Sequence, residues 1–66
     1  MNAPYRPLDR LLRLRDVEDA VGLKKSQIYA RIAEDKFPRP YKLRGTRTSR
    51  WRTSEIAAWI EDQPSG

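Results

Sequence analysis

The side chains best suited to chemistry in this chain are its lysines and arginines, which are concentrated in the middle of the sequence. The 66 residues include 14 Lys+Arg against 9 Asp+Glu, for a formal net charge of +5. Residues 1–23 contain equal numbers of acidic and basic residues, and the charged residues of 53–66 are all acidic. The excess therefore lies in residues 24–52, whose bases are Lys24, Lys25, Arg31, Lys36, Arg39, Lys42, Arg44, Arg47, Arg50 and Arg52.

Such a block is typical of a surface that binds a polyanion, although it could also be a solvated face that only aids solubility. Arginine outnumbers lysine ten to four. This favours phosphate or guanine as the ligand, because a planar guanidinium can donate two parallel hydrogen bonds to either group. The four residues 24–27, Lys-Lys-Ser-Gln, combine two ammonium groups with two hydrogen-bonding side chains. At the positive end of a helix they would suit phosphates and base edges, but an ordinary exposed helix is also compatible with them.

Several other kinds of chemistry are excluded by composition. The chain has no cysteine and no histidine, so it can form no disulfide, and it lacks the usual ligands of zinc, haem and iron–sulfur clusters. Serine–histidine and cysteine–histidine catalysis are likewise impossible. Asp16 and Asp19 are better explained as stabilising a helix start than as a metal or acid–base pair. We therefore expect no enzyme activity, no metal, no cofactor and no small-molecule substrate.

Two short helices are predicted to position the first part of the cationic block. From Asp16, the apolar residues Val17, Ala20 and Val21 share one helical face, with acids in the first turn, and Gly22 can end the helix with a positive φ. A second helix is predicted from about Lys25 to Asp35, with Ile28 and Ile32 facing the core. Leu11, Leu12 and Leu14 before them predict either a short strand or an extended entry into the first helix.

A hairpin and a third helix are predicted to follow. Residues 41–52 alternate as strands do around a turn at Gly45, with Leu43 and Trp51 inward and the basic residues outward or at the tip. Thr53 is a plausible N-cap of the third helix. Its core face is predicted to consist of Ile56, Trp59 and Ile60.

The fold class predicted is α+β, mainly α: a winged helix-turn-helix with three short helices and a two-stranded β-hairpin wing. A flexible arm (residues 1–9), one domain (10–62) and a disordered tail (63–66) are expected.

The longest apolar run is five residues and the first ten residues do not resemble a signal peptide. We therefore expect a cytoplasmic protein, associated with the nucleoid through DNA and with no membrane contact.

Five segments together resemble the AlpA-type small winged-helix regulators, which belong with the excisionases and the MerR-like DNA-binding domains. They are LRLRDV (12–17), VGLKKSQIY (21–29), FPRP (37–40), RW (50–51) and SEIAAWI (54–60). The resemblance covers about residues 10–62. It implies a phage or integrative-element protein that binds duplex DNA sequence-specifically, as an excisionase (recombination directionality factor), a transcriptional regulator, or both. It also implies cooperative binding of several copies and a possible integrase partner.

Carried over position by position, the resemblance assigns DNA contacts to two sets of residues. The recognition-helix set is Lys24, Lys25, Ser26, Gln27, Ala30 and Arg31. The wing set is Arg44, Thr46, Arg47, Thr48, Ser49 and Arg50. We add Lys42 to the wing set because its side chain is predicted to point outward from the hairpin. The chain departs from the family at Lys24, where a capping serine is common, and at Ala30, where a longer polar residue is frequent.

The alternative reading is a basic RNA-binding module without DNA specificity. Such a module would stack unpaired bases on exposed aromatic rings, and the candidates are Tyr5, Tyr29 and Tyr41. A protein-binding role, such as that of an antitoxin-like inhibitor, has no sequence feature in its favour.

Overall fold

The computed structural model describes residues 9–64, which contain three helices and three short strands. In chain order they are β1 (Leu11–Leu12), α1 (Leu14–Val21), α2 (Lys25–Ala33), β2 (Tyr41–Lys42), β3 (Ser49–Arg52) and α3 (Thr53–Glu61). This order confirms the α+β class and the predicted succession of two helices, hairpin and helix. The proposed arm lies outside the described residues except for Asp9, as do the last two residues of the proposed tail.

The strands form one antiparallel sheet in the order β1-β3-β2. In the predicted hairpin, Tyr41 pairs with Arg50 and Lys42 with Ser49. On the other side of β3, Leu12 pairs with Trp51. The leucine segment before α1 is therefore a strand, and it enlarges the two-stranded wing to three strands.

The core is built around Trp51, which is fully buried together with Val17 and Ile28. The Trp51 indole N–H donates to the Pro38 carbonyl at 2.9 Å, so the ring's one polar atom is satisfied inside the core. The buried cluster is completed by Ile32, Phe37 and Ile56. Side chains from all three helices and from the loop after α2 therefore form one cluster with the β3 tryptophan.

The first helix begins two residues earlier than predicted. It starts at Leu14 because the Asp16 carboxylate accepts the Arg13 backbone N–H at 3.0 Å, which satisfies a donor at the helix entry. Of the acids in this segment, only Asp16 lies in the first turn. Gly22 ends the helix as predicted, with φ +73° and its N–H donating to the Glu18 carbonyl at 2.8 Å.

The second helix ends at Ala33, two residues before the predicted end. Asp35 adopts the left-handed conformation with φ +61°, which an α-helix cannot continue through. The Lys36 N–H then donates to the Arg31 carbonyl at 2.8 Å and satisfies one of the terminal acceptors of the helix.

The predicted N-cap of the third helix is wrong, because Thr53 lies inside the helix and Arg52 occupies the cap position. Asp9 caps the helix instead: its carboxylate accepts the Ser54 N–H at 2.9 Å and the Ser54 hydroxyl at 3.0 Å. The Thr53 hydroxyl bonds to the backbone of Arg10. The start of α3 is therefore tied to the residues just before β1.

The prediction that Ile60 belongs to the core face of α3 is also wrong. Ile56 is buried and Trp59 packs against the core cluster, but 42% of Ile60 is exposed. The last turn of α3 runs past the core, which is too small to cover the whole apolar side of the helix. None of the described helices is both long and apolar enough to cross a membrane.

Candidate nucleic-acid interface

The outer face of α2 consists of small and polar side chains because its inner face is fixed by Ile28 and Ile32. Both isoleucines are buried, and Ser26 and Ala30 on the opposite side are exposed. The absence of long side chains there lets another macromolecule approach the helix closely. A helix with such a face can fit into the major groove of DNA, which is wide enough to admit an α-helix.

The N-terminus of α2 is held by Gln27, which was predicted to read bases. Its side-chain oxygen accepts the Lys24 backbone N–H at 2.9 Å. In the usual capping box, the N-cap side chain also accepts a backbone N–H from the first turn of the helix. A lysine ammonium has no lone pair, so Lys24 cannot accept this second hydrogen bond, and only the bond to Gln27 is formed. The Gln27 amide NH₂ forms no hydrogen bond within residues 9–64 and is left as a donor.

Arg31 lies against its own helix. Its guanidinium donates to the Gln27 carbonyl at 3.3 Å, and the residue is half-buried. Because a guanidinium carries five N–H donors, this bond leaves others for an external acceptor. Arg31 is therefore oriented by α2 and not by a neighbouring acid.

The first turn of α2 borders a shallow depression of about 510 Å³, lined by Glu18, Lys24, Lys25, Ser26 and Tyr29. The ammonium groups of Lys24 and Lys25 form no ion pair in the described part of the chain. The Tyr29 ring stands edge-on to Trp51, with ring centroids 6.4 Å apart. This contact connects the outer flank of α2 to the central strand of the sheet.

The hairpin turn is closed by its backbone and by one threonine. The Leu43 N–H donates to the Thr48 carbonyl, and the Thr46 N–H donates to the Leu43 carbonyl, both at 3.0 Å. The Thr46 hydroxyl donates to the Leu43 carbonyl at 2.9 Å and accepts the Thr48 N–H at 3.0 Å. Gly45 supplies the positive φ of +77° that the turn requires.

Three other predicted wing residues also form hydrogen bonds within the hairpin. The Lys42 ammonium donates to the Ser49 hydroxyl at 2.8 Å and reaches the Arg47 carbonyl at 3.4 Å. The half-buried Arg50 donates to the Ser49 carbonyl at 2.9 Å. These side chains support the shape of the hairpin, and their positive charge remains at its surface.

The side chains of Arg44 and Arg47 project from the turn. Both residues are exposed, and neither guanidinium forms a hydrogen bond or ion pair with any of residues 9–64. With Lys24 and Lys25, they are the predicted contact residues whose charged groups form neither a hydrogen bond nor an ion pair in the described part of the chain. That any of the thirteen residues contacts DNA remains a prediction.

Sequence reasoning missed a cluster that joins the base of the hairpin to α3. The Tyr41 hydroxyl donates to the Glu55 carboxylate at 2.8 Å, and the Arg52 guanidinium lies 5.1 Å from the centre of the Tyr41 ring. The hydrogen bond to Glu55 and its negative charge raise the pKa of Tyr41 above its ordinary value. Tyr41 and Glu55 are fourteen positions apart, and no pattern in the sequence between them would have revealed the contact.

Comparisons with known proteins find one matching family model and one relative in a phage. The family model described as "Prophage CP4-57 regulatory protein (AlpA)" matches residues 10–63. The uncharacterized protein ORF88 of Enterobacteria phage P4 is 33% identical over 72 aligned positions, which cover 97% of this chain and 81% of the relative. No solved structure matches the chain significantly.

Proposed function

This chain belongs to the AlpA family of phage regulatory DNA-binding proteins, and we propose that it binds specific duplex DNA sites without catalysing a reaction. The observation that carries this proposal is that four cationic side chains on two successive elements form no ion pair within residues 9–64: Lys24 and Lys25 at the start of α2, and Arg44 and Arg47 at the hairpin tip. Cations that are not neutralised within the protein are available to phosphates.

In the proposed complex, α2 lies in the major groove and supplies the sequence preference. Ser26 and the free amide of Gln27 reach base edges, and the Ala30 methyl contacts an apolar surface such as a thymine methyl group. Arg31 offers its remaining N–H donors to guanine. Lys24 and Lys25 bind phosphates beside the helix N-terminus, where the helix dipole favours negative charge.

The hairpin supplies affinity that depends little on sequence. Arg44 and Arg47 lie along the backbone or in the adjacent minor groove, where the negative potential favours arginine. Thr46, Thr48 and Ser49 keep the turn in shape and can add backbone contacts. With about five phosphates engaged in all, log K should fall against log salt with a slope of about −4 to −5.

We further propose that several copies bind side by side, because a single domain of this size engages few phosphates and holds one site weakly. The bound protein acts as a transcriptional regulator, as an excisionase that assists an integrase, or as both. The two roles make different demands on DNA: excision requires repeated sites beside an attachment core, whereas regulation requires an operator at a promoter.

Footprinting across the DNA that neighbours the protein's own gene tests this proposal. Repeated protected sites beside an attachment core, together with stimulated excision by the cognate integrase, support the excisionase role. One operator that overlaps a promoter supports regulation alone. Two results would contradict sequence-specific DNA binding. In the first, a scrambled competitor duplex abolishes the protection as effectively as the target duplex does. In the second, the protein binds an RNA duplex of the same sequence more tightly than the DNA.

A further inference from the structure

One acidic side chain lies among the proposed DNA contacts at the start of α2. Glu18 of α1 lines the same shallow depression as Lys24, Lys25 and Ser26. Among the described residues that line it, Glu18 is the one acid, in a chain whose net charge is +5. Because a carboxylate repels phosphate, an acid here lowers the affinity for any DNA that is bound by charge alone. The position of Glu18 therefore needs a separate explanation.

The place of Glu18 on α1 brings it to the border of this depression. It follows Leu14 by four residues and precedes Val21 by three, and both apolar residues pack against the core. Residues at these spacings are neighbours on one face of a helix. Glu18 is accordingly half-buried, whereas Asp19 at the next position is exposed and does not line the depression. Glu18 thus lies between the inner face of α1 and the start of α2.

The fold gives the Glu18 side chain no internal partner. It forms no hydrogen bond and no ion pair within the described part of the chain, although Lys24 and Lys25 line the same depression. It does not cap α2, because the Lys24 backbone N–H is bound by Gln27 at 2.9 Å. It also lies beyond the first turn of its own helix, where Asp16 is the acid. The carboxylate oxygens of Glu18 are therefore available to an external donor.

The donors that a carboxylate can meet in the major groove are the amino groups of bases. Guanine O6 and N7 and thymine O4 are acceptors, whereas cytosine N4 and adenine N6 carry N–H donors. An ionised carboxylate can only accept, so it is attracted to the amino groups and repelled by the other edges. Adenine presents its N7 acceptor beside the amino group, and cytosine presents an amino group alone. Cytosine is therefore the base that suits Glu18 best.

We propose that Glu18 determines sequence specificity by accepting a hydrogen bond from the N4 amino group of one cytosine in the major groove. This rests on the proposed function, because it requires α2 to lie in that groove. The first turn of a recognition helix contacts base edges, and Glu18 shares a depression with Ser26 in that turn. Lys24 and Lys25 bind neighbouring phosphates and offset their repulsion by the carboxylate. Opposite any other base Glu18 adds repulsion, so it raises discrimination while it lowers general affinity.

The test compares wild type with Glu18→Gln, whose amide has nearly the shape of the carboxylate but can donate as well as accept. Wild-type protein first selects its sites from a duplex library of random sequence. Each C·G pair of a selected site is then replaced by U·A, which exchanges the amino group for a keto oxygen without adding a methyl group. In fluorescence anisotropy, one replacement should weaken wild-type binding about tenfold but Glu18→Gln binding by no more than about twofold. The other replacements should affect both proteins equally.

Asp19→Asn is the matched control, since it removes the same charge from the neighbouring, exposed position of α1. It should keep the wild-type preference for that cytosine, and both variants should bind scrambled duplex more tightly than wild type by the same factor. If Asp19→Asn loses the preference too, the effect is one of net charge and the proposal is wrong.

Two further outcomes separate the role of Glu18 from the proposed function. If Glu18→Gln lowers stability in urea unfolding but keeps every wild-type base preference, Glu18 only stabilises the start of α2 through its dipole, and the proposal is overturned while the DNA-binding function stands. If wild-type protein selects no site from the library, the proposed function fails and the role of Glu18 fails with it.

Discussion

The start of α2 and the tip of the hairpin carry charge of the same sign, but they are held in place by different means. Ile28 and Ile32 anchor α2 in the core, and its cap is formed by Gln27. The hairpin tip has no buried side chain; its shape depends on backbone bonds and on the Thr46 hydroxyl. A core-anchored helix has one position relative to the domain, whereas a turn held only by local bonds can adjust.

Because they are anchored differently, α2 and the hairpin tip are expected to contribute differently to DNA binding. Reading base edges requires donors and acceptors to be placed to within a fraction of an ångström, which suits side chains on α2. Phosphate contacts tolerate more variation because charge attraction is long-ranged and not directional. Specificity is therefore expected to depend on α2, and general affinity on the hairpin.

The largest effect is expected from removing the anchor of α2. Ile28→Ala should lower the free energy of unfolding by about 2–5 kcal/mol, because it leaves a cavity beside Trp51 and Val17. In a domain this small, such a loss approaches the total stability. Leu43→Ala, at the half-buried start of the turn, should cost about 1 kcal/mol. Urea unfolding followed by circular dichroism measures both, and equal losses would contradict the difference in anchoring.

A smaller effect, confined to specific DNA, is expected from Arg31→Ala. Because one good arginine–base contact discriminates by about 1–3 kcal/mol, affinity for the target should fall roughly tenfold while affinity for scrambled duplex changes little. Fluorescence anisotropy with the two duplexes measures the ratio. If affinity for the target and for the scrambled duplex fell equally, Arg31 would be a phosphate contact and not a residue that reads bases.

The hairpin should show the opposite behaviour. Arg44→Ala combined with Arg47→Ala should weaken binding to target and scrambled duplex alike, by roughly tenfold at moderate salt, and make the salt slope shallower by about two. Arg10→Ala combined with Arg15→Ala removes the same charge from exposed residues outside both regions. If this control changes the slope as much, the effect reflects net charge and not the position of the hairpin.

The smallest effect concerns the base of the hairpin, which is anchored to α3 although its tip is not. Glu55→Gln removes the negative charge that raises the pKa of Tyr41, so that pKa should fall toward its ordinary value. A raised pKa in the folded state means that the contact stabilises the fold below pH 10 and that this contribution is lost as the pH rises through the folded value. NMR titration of the Tyr41 ring in both proteins measures the shift, and an unchanged pKa in Glu55→Gln would show that Glu55 is not its cause.

Much of this fold follows from local patterns. The spacing of Val17 and Val21, and of Ile28 and Ile32, predicts two helices with their inner faces, and Gly22 and Gly45 mark the turns where φ must be positive. The clustering of cations is visible in composition. The predicted helix ends were less accurate, because Asp16 stabilises a helix that begins before it and Asp35 takes up the left-handed conformation, which aspartate can adopt but which the spacing of apolar residues does not indicate.

In the candidate site, the sequence by itself determined the sign of the charge and the two segments that carry it. Only the tertiary structure decided that Gln27 and Lys42 are used in part to hold their own elements, while Arg44 and Arg47 form no hydrogen bond or ion pair with their side chains among residues 9–64. It also decided that Asp9 caps a helix through Ser54, 45 positions further along the chain, and that one Glu55 oxygen has no hydrogen-bond partner in the part of the chain that the structure describes. The physical reason is that periodicity records which way a side chain faces along its own element, whereas hydrogen-bond partners depend on how separate elements pack against one another.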